Sequence, residues 1–267
     1  MKSYRFAFAP LLLAVMFAGC ASGGGGFNLV SIEEEWNLGA QLEADIARQM
    51  PVMNDAAANA YINKLGQQLV AASGHELAQL PWKFHVVDSP EVNAFNIPGG
   101  HVYVTAGLIG AADNAAELAG VVGHEIAHGM ERHATENMTK SYGLNIVAAL
   151  LLGQDPAAYQ QILAQILGGG AMARFGRAAE GEADILGTHY MAAAGYNPTG
   201  MVTMFEELLR RRQSQPGAVE KFFSTHPLTE DRIAAVRNEI QRMGNTGNLR
   251  TDTQEYRTFR SRYGRTS

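Results

Sequence analysis

The sequence has one cysteine, no apolar run long enough to cross a bilayer, and no excess of basic side chains. Cys20 has no second cysteine in the chain with which to form a disulfide bond. The apolar runs at residues 6–17 and 144–152 are shorter than the roughly 20 residues that a membrane-spanning helix needs. The formal net charge is −5. The sequence therefore gives no reason to propose a disulfide framework, a membrane-embedded domain or a nucleic-acid partner.

Internal repeats and a disordered type of composition are also lacking. No segment of about 20–50 residues recurs, which argues against a solenoid extension. Apolar residues make up 46% of the 267 residues, as in a globular chain. This length is enough for one large domain, or two small ones, with a sizeable buried core.

The first 19 residues have the pattern of a secretion signal peptide. Lys2 and Arg5 precede the apolar run, and small residues follow it. A transmembrane anchor is the alternative, but the run is too short to span a bilayer comfortably. Residues 17–20, Phe-Ala-Gly-Cys, resemble the bacterial lipobox, with Phe17 where leucine is usual. This pattern predicts cleavage before Cys20 and lipidation of its side chain; a free thiol is the alternative.

Residues 20–30 are predicted to be a lipidated cysteine followed by a glycine-rich linker. The four glycines at residues 23–26 would let a folded domain stand off a membrane surface. In a Gram-negative lipoprotein, Ala21 after the cysteine resembles the pattern that sorts lipoproteins to the outer membrane. We therefore expect the protein to be lipid-anchored in the outer membrane and to face the periplasm.

Apolar spacing and capping residues predict a mainly helical α+β chain. Two strands are expected, at residues 82–87 and His101–Thr105, in a small sheet packed against a central helix at residues 114–132. Residues 31–243 are assigned to one globular domain, and residues 244–267 to a polar C-terminal tail. The other predicted helices lie at residues 32–50, 56–72, 135–152, 156–167, 178–193, 198–212 and 229–243.

The segment His124-Glu125-Ile126-Ala127-His128 lies in the middle of the predicted central helix. Residues four apart share a face of a helix, so His124 and His128 point the same way, about one turn apart. This spacing suits two nitrogen ligands of one tetrahedral zinc ion, and Glu125 is placed to act on a water at the metal. Because a five-residue pattern can arise by chance, the alternative is two surface histidines on an ordinary helix.

A catalytic zinc needs a third protein ligand and an open position. A third histidine ten residues after the first is excluded, because that residue is Ala134; His133 is out of register and expected at the surface. Glu180 and Asp184 lie four apart on one face of a predicted helix. Glu180 can coordinate zinc while Asp184 accepts the free ring N–H of a ligand histidine. Taken alone, this acidic pair is more often a charged helix face.

Four motifs in this order along the chain resemble those of metallopeptidase family 48. They are Asn-Ala-Phe at residues 93–95 with Pro-Gly-Gly at 98–100, His-Glu-Ile-Ala-His at 124–128, Glu-Gly-Glu-Ala-Asp-Ile-Leu-Gly at 180–187, and Ser-Thr-His-Pro-Leu at 224–228 with Arg232. The resemblance extends over residues 32–243, and the chain is most similar to the short lipoprotein members of the family. It implies a zincin-like metalloprotease domain at residues 31–243. One Zn²⁺ per chain would be bound by His124, His128 and Glu180.

The resemblance also implies roles for residues beside the metal ligands. His226 is expected to donate a hydrogen bond to the oxyanion, or to occupy the open zinc position at rest; a loop histidine beside a proline is the alternative. Arg232 is expected to brace this loop or an acidic ligand. Asn93 and Ala94 are expected on a sheet edge where substrate pairs as an added strand, or else in a simple turn.

Two further segments carry expectations about the surroundings of the site. The predicted helices at residues 135–152 and 156–167 are expected to form a hairpin that shields the metal; an oligomer contact is the alternative. The polar residues 213–217 predict a mobile loop.

Together these inferences predict a zinc-dependent endopeptidase with Glu125 as its general base. Its expected substrates are unfolded or misassembled envelope proteins. Its other expected partners are the membrane, through the lipid anchor, and the outer-membrane assembly machinery. The alternative is a chaperone-like envelope assembly factor whose zinc is latent or structural. An envelope protein without a metal is a third hypothesis.

Overall fold

The computed structural model of the chain describes residues 28, 30–151, 153–168 and 174–265, with the backbone alone at residues 144–146 and 148. The predicted signal peptide, Cys20 and residues 21–27 of the predicted linker lie outside these ranges. The lipidation of Cys20 therefore stays a prediction.

The described residues form eleven α-helices and three β-strands, so the predicted mainly helical α+β fold is confirmed. Each predicted helix is present, with its ends within one turn of the expected residues. The strands are β1 (Lys83–Val87), β2 (Ala94–Ile97) and β3 (His101–Thr105). The helices are α1 (Ile32–Gln49), α2 (Ala56–Ala72), α3 (Ala106–Ala111), α4 (Ala115–Met130), α5 (His133–Leu151), α6 (Pro156–Gly168), α7 (Arg177–Ala193), α8 (Thr199–Ser214), α9 (Pro216–Thr225), α10 (Glu230–Met243) and α11 (Gln254–Tyr263).

Capping side chains explain where the helices begin. At the start of α1, Ser31 and Glu34 form a capping box, in which the Glu34 carboxylate accepts a hydrogen bond of 2.8 Å from Ser31 N. At the start of α4, Asn114 Oδ1 accepts a hydrogen bond of 3.1 Å from Glu117 N. These short-range contacts satisfy N–H groups that have no partner within the helix. Side chains close in sequence therefore determine where each helix begins.

The central strand of the sheet is β3, in the order β1-β3-β2. β1 pairs with β3 in parallel, with Lys83 opposite His101, and β2 pairs with β3 in antiparallel orientation, with Ala94 opposite Val104. β2 was not among the predicted strands, because its four residues lack the alternation of buried and exposed side chains that identifies a strand. It forms an edge of the sheet, and Asn93 immediately precedes it.

The two faces of the sheet belong to different apolar clusters. Phe84 and Val102 face the main core, which includes residues of α2 and α4. Tyr103 faces a second cluster formed with α1, α5 and α6. Every residue of α4 is buried, and α4 packs against α7, α8, α2 and the sheet. The predicted small sheet on a central helix is therefore confirmed.

The predicted helical hairpin is formed by α5 and α6. α5 kinks at Gly143, whose φ of 72° lies in the left-handed region that glycine adopts readily. Leu150 and Ile162 join the second cluster with α1, and the Tyr159 hydroxyl donates a hydrogen bond to Asp45 on α1. Among the described residues, no helix is both long enough and apolar enough to cross a membrane.

The region predicted as a polar C-terminal tail contains α11, which packs into the main core. Tyr256 is fully buried, and its hydroxyl donates hydrogen bonds to the carbonyl oxygens of Ile109 (3.0 Å) and Ala112 (2.7 Å). Phe259, three residues further on, is also buried. The prediction of a solvated tail is wrong because these aromatic residues share one face of a helix whose other face is charged.

The prediction of a mobile loop at residues 213–217 is also wrong. α8 extends to Ser214 and α9 begins at Pro216, so Gln215 alone separates the two helices. Proline suits the first turn of a helix, where its missing N–H needs no partner. Pro216 therefore starts α9 rather than extending a loop.

Candidate metal centre

α4 carries His124, Glu125 and His128 into the interior of the protein. All three residues are buried, so the two histidines are not surface residues of an ordinary helix. Their Nε2 atoms lie 3.0 Å apart, because residues four apart stack on one face of a helix. The local geometry therefore presents two imidazole nitrogens to one point.

α7 brings Glu180 to the same point. Its Oε1 lies 3.4 Å from His128 Nε2, and its Oε2 lies 3.8 Å from His124 Nε2. The two helices approach closely where Gly187 meets the backbone of Gly123 and His124, since a Cβ on Gly187 would lie 2.7 Å from His124 N. A glycine at this position is thus a packing requirement of the site.

His226 directly follows the last residue of α9, and its buried ring points into the same cluster. Its Nδ1 lies 3.0 Å from Glu180 Oε1 and 3.3 Å from His124 Nε2. Its Nε2 lies 3.4 Å from Glu125 Oε1. His226 is therefore not a solvated loop histidine, and it contacts both halves of the site.

The four donor atoms of His124, His128, Glu180 and His226 lie within 4.8 Å of one another. Bonds of about 2.0–2.1 Å in a tetrahedral zinc site place ligand atoms about 3.4 Å apart, close to the separations seen here. Burial and the neighbouring His124 hold the pKa of His128 well below its ordinary value, so its ring is neutral. Burial opposes ionisation of Glu180, but His226 and His128 outweigh it and lower its pKa. The donor set fits a zinc ion.

The side chains of Asp184 and Arg232 hold the ligands from behind. Asp184 Oδ1 lies 2.9 Å from His124 Nδ1. Arg232 donates from Nε to Asp184 Oδ2 and from Nη2 to Asp184 Oδ1, both at 2.7 Å, while its Nη1 lies 2.6 Å from Glu180 Oε2. Nη1 also donates to the carbonyl oxygen of Pro227 at 2.9 Å. Arg232 thus contacts both acidic residues and the turn after His226.

Glu125 lines a mainly apolar cavity. Both of its carboxylate oxygens are buried and have no hydrogen bond among the described residues. The cavity, of about 30 Å³, is lined by Glu125 and His226 together with residues from the β2 segment, α5, α6 and α9. A buried carboxylate without hydrogen bonds is costly, so this position suits a group that accepts protons from water or substrate.

His133, which the sequence predicted at the surface, is a buried neighbour of His128. His133 is 4% exposed, and its Nδ1 lies 2.8 Å from His128 Nδ1. Its Nε2 lies 3.4 Å from Glu182 Oε2. Arg132, with φ of 57°, lies in the turn between α4 and α5. The helical period alone did not reveal this contact, because the chain leaves α4 before His133.

The structure does not bring Asn93 and Ala94 into the metal cluster. Both residues are buried beside the sheet, Asn93 just before β2 and Ala94 as its first residue. Within the same segment, Phe95, Asn96 and Pro98 line the cavity that contains Glu125. The edge strand therefore approaches the site, through residues slightly later in the chain than expected.

A buried His-Glu-x-x-His helix, a glutamate from a second helix and a small sheet packed on the first define a zincin-like domain. The sequence profile of Peptidase family M48 matches residues 56–240. The chain therefore belongs to peptidase family M48, as its motifs predicted.

Two curated proteins show how far the similarity extends. The chain is 33% identical over 225 residues to the Beta-barrel assembly-enhancing protease of Escherichia coli (strain K12), over 80% of this chain and 45% of that protein. It is 30% identical over 176 residues to the Mitochondrial metalloendopeptidase OMA1 of Schizosaccharomyces pombe, over 66% of this chain and 51% of that protein. The chain thus spans about half the length of the curated relatives it matches.

Proposed function

We propose that the protein is a zinc-dependent endopeptidase that hydrolyses peptide bonds in unfolded or misassembled proteins of the bacterial envelope. The observation that carries this proposal is the convergence of His124, His128 and Glu180 beside the buried carboxylate of Glu125. Membership of peptidase family M48 supports hydrolysis of peptide bonds. The names of the two relatives, an assembly-enhancing protease and a metalloendopeptidase, support polypeptide substrates.

One zinc ion per chain would be held by His124, His128 and Glu180. When bound, it supplies a Lewis acid that polarises the scissile carbonyl and makes a nearby water molecule more acidic. Glu125 accepts a proton from the attacking water and then donates it to the leaving nitrogen. An N–H of His226 donates a hydrogen bond to the oxyanion that develops at the carbonyl.

His226 has a second proposed role in the resting protein. Its Nδ1 lies among the ligand atoms, so the ring is placed to fill the fourth position of the metal. Arg232 ties the turn that follows His226 to the acidic residues of α7. Substrate would have to displace the ring before a scissile carbonyl reaches the metal.

The proposed substrate-binding element is the free edge of β2. Thr105 N donates to Asn93 O at 3.1 Å, so the main chain of Asn93 faces β3. Main-chain groups alternate in direction along an antiparallel strand, so those of Ala94 and Asn96 face the free edge. Because Asn96 and Glu125 line the same cavity, a polypeptide paired with this edge would pass the general base. Main-chain pairing favours extended, unfolded substrates.

The α5–α6 hairpin covers this route in the structure. Met138, Ile162 and Ile166 of the hairpin line the same cavity as Phe95 of β2. A cavity of about 30 Å³ holds about one or two water molecules, which excludes a polypeptide. The hairpin would therefore move away from β2 when substrate binds.

A cleavage assay on the full-length protein in detergent tests the proposed activity. We expect an unfolded protein to be cleaved, cleavage to stop with a chelator, and added Zn²⁺ to restore it. Glu125→Gln keeps the metal ligands but removes the base, so we expect kcat to fall by roughly 10²- to 10⁴-fold with unchanged zinc content. Cleavage by Glu125→Gln at the wild-type rate would contradict the assigned mechanism.

Backbone-modified peptides test the proposed pairing with β2. N-methylation of a substrate residue removes one main-chain donor and leaves its side chain unchanged. We expect KM to rise for N-methylation at every second position beside the scissile bond, because alternate residues point their N–H groups at the same strand. Equal sensitivity at consecutive positions would argue against strand addition.

The closed centre also supports a second candidate function, a chaperone-like envelope assembly factor with a latent or structural zinc. Its support is the ring of His226 beside the ligands and the hairpin over Glu125. Complementation of a deletion strain separates the two. Restoration by Glu125→Gln but not by His124→Ala would favour the assembly factor, whereas failure of both would favour the endopeptidase.

We also propose that Cys20 carries the lipid that anchors the protein to the outer membrane, facing the periplasm. This location is supported by the lipobox-like residues 17–20, by Ala21 and by the glycine-rich linker. The name of the first relative links that relative to β-barrel assembly. Labelling with a radioactive fatty acid should mark the wild type and not Cys20→Ser. Equal labelling of both would contradict lipidation at this residue.

A further inference from the structure

A second group of metal-ligating side chains lies between α1 and the sheet. Glu43 comes from α1, His85 from β1 and His101 from β3. Glu43 Oε1 lies 3.4 Å from His85 Nε2 and 3.6 Å from His101 Nδ1. The two rings lie nearly parallel, with an interplanar angle of 8° and centroids 6.0 Å apart. Three elements thus direct two imidazole nitrogens and one carboxylate oxygen to one point.

The folded chain leaves these nitrogens without hydrogen bonds. His85 Nε2 and His101 Nδ1 are buried and have no hydrogen-bond partner among the described residues. The His101 side chain is 4% exposed. Buried polar atoms in proteins nearly always have a partner, so two orphaned nitrogens that face one carboxylate oxygen require an explanation.

We propose that Glu43, His85 and His101 bind a second divalent transition-metal cation of the zinc class, separate from the proposed catalytic ion. Bonds of about 2.0–2.2 Å to nitrogen and oxygen place the ligands of a tetrahedral zinc about 3.4 Å apart. The two nitrogen–oxygen separations, 3.4 Å and 3.6 Å, are close to this value. A set of two imidazoles and one carboxylate suits Zn²⁺ and similar ions rather than Ca²⁺ or Mg²⁺.

The ionisation of the three groups agrees with cation binding at neutral pH. Burial lowers the pKa of His101 to about 4 and also lowers that of His85, so both rings keep a free lone pair. Burial opposes ionisation of Glu43, but the hydrogen bond from Lys83 and the neighbouring His101 outweigh it and lower its pKa. The group therefore offers neutral nitrogens and a charged oxygen.

Among the described residues, Lys83 is the cation that contacts Glu43. Its Nζ donates to Glu43 Oε2 at 2.6 Å, so Oε1 still faces the two histidines. Lys83 is half-exposed, while the side chains of His85 and Glu43 remain partly exposed at 18% and 22%. Two of the three proposed ligand side chains thus reach solvent, from which water can supply a fourth ligand.

This position gives the proposed ion a structural consequence. Metal bound there would fasten α1 to both β1 and β3. α1 also carries Asp45, which accepts the hydrogen bond from Tyr159 of the α5–α6 hairpin. No residue of α1, β1 or β3 belongs to the metal centre described above, so the two sites can be emptied independently.

Zinc content of the full-length protein in detergent, after equilibration with Zn²⁺, tests the proposal. We expect two ions per chain in the wild type, one in His101→Gln, one in the double variant His124→Gln/His128→Gln, and none when all three substitutions are combined. His189→Gln is the matched control, because it removes an exposed histidine paired with Glu239. We expect that control to keep two ions.

Two outcomes separate failure of this proposal from failure of the proposed catalytic site. A folded double variant without zinc, beside a wild type with one ion, would overturn the second site. A double variant that retains as much zinc as the wild type would instead count against His124 and His128 as ligands. Circular dichroism establishes that each variant is folded.

A thermal measurement covers the case in which His101→Gln does not fold. In the double-variant background, Zn²⁺ at about 100 times its Kd should raise Tm by roughly 5–10 °C. Glu43→Gln, at a partly exposed side chain of α1, should abolish this rise, and Mg²⁺ should not produce it. A rise that persists in Glu43→Gln would overturn the proposal.

Discussion

Asp184 Oδ1 lies 2.9 Å from His124 Nδ1, and this contact determines which ring nitrogen of His124 faces the other ligands. A carboxylate beside Nδ1 favours the ring proton on that nitrogen, so the lone pair of Nε2 is the one directed at the cluster. Arg232 in turn fixes Asp184 through two hydrogen bonds of 2.7 Å. The orientation of one ligand on α4 thus depends on side chains from α7 and α10.

Asp184→Asn should weaken metal binding while leaving the ligands in place. The amide is similar in shape but uncharged, so it no longer places a negative charge beside His124 Nδ1. We expect Zn²⁺ affinity to fall by about 10- to 100-fold in a competition titration with a chromogenic chelator. Asp231→Asn, at an exposed position in the first turn of α10, is the control. Equal affinities in the two variants would contradict the role of Asp184.

His226→Ala should make the metal easier to extract. Loss of the ring removes a nitrogen that lies 3.0 Å from Glu180 Oε1 and 3.3 Å from His124 Nε2. We expect zinc to be lost to a chelator at least about tenfold faster than from wild type, by analogy with the loss of an outer-shell partner. His189→Ala removes an exposed histidine and should have no effect. An unchanged extraction rate in His226→Ala would mean that its ring does not bind the metal.

Two glycines of α7 provide a matched pair for the packing of the ligand helix. A Cβ on Gly187 would lie 2.7 Å from His124 N, whereas one on Gly181 would meet nothing within 4 Å. We expect Gly187→Ala to lower the free energy of unfolding by about 1–3 kcal/mol and to weaken zinc binding, since α7 must move away from α4.

Gly181→Ala on the same helix should instead raise the free energy of unfolding by about 0.5–1 kcal/mol, because alanine favours helix without a clash. Chemical denaturation and zinc titration of both variants provide the comparison. A Gly187→Ala protein with wild-type stability and affinity would show that the close approach is not required.

Tyr159→Phe should loosen the cover over Glu125. The Tyr159 hydroxyl donates to Asp45 and so ties α6 to α1. Without this hydrogen bond, we expect the hairpin to open more often. The value of kcat/KM for an unfolded protein should then rise roughly two- to tenfold, which corresponds to the net free energy of one hydrogen bond.

The matched control for the cover is Tyr142→Phe. The Tyr142 hydroxyl accepts a hydrogen bond of 2.8 Å from Gln165, and both residues belong to the hairpin itself. We therefore expect its loss to leave opening unchanged. A similar gain in both variants, or no gain in Tyr159→Phe, would contradict a hairpin that gates the site.

Local patterns were sufficient to predict most helices and the pairings within them. Ser31 with Glu34 and the spacing of His124 and His128 act over a single helical turn, so their geometry follows from helix formation alone. Glu180 and Asp184 share a face for the same reason. The family motifs occur in a characteristic order along the chain. This order added the expectation that the segments meet at one site.

The strand β2 and the helices α3, α9 and α11 were not predicted from periodicity. Each is short, and each is specified by its neighbours: β2 by its pairing with β3, and α11 by burial of Tyr256 beneath the carbonyl oxygens of α3. The period of such short elements is difficult to recognise without their distant contacts, although Tyr256 and Phe259 do share one face of α11.

By itself the sequence determined the residues that can hold a metal and act as a base, because helical spacing places His124, Glu125 and His128 without reference to the rest of the chain. Only the tertiary structure decided which other residues join them. His226, Arg232 and His133 approach through turns that helical periodicity does not describe, and Glu43, His85 and His101 meet only when α1 covers the sheet. Packing of elements far apart in sequence brings these side chains within bonding distance.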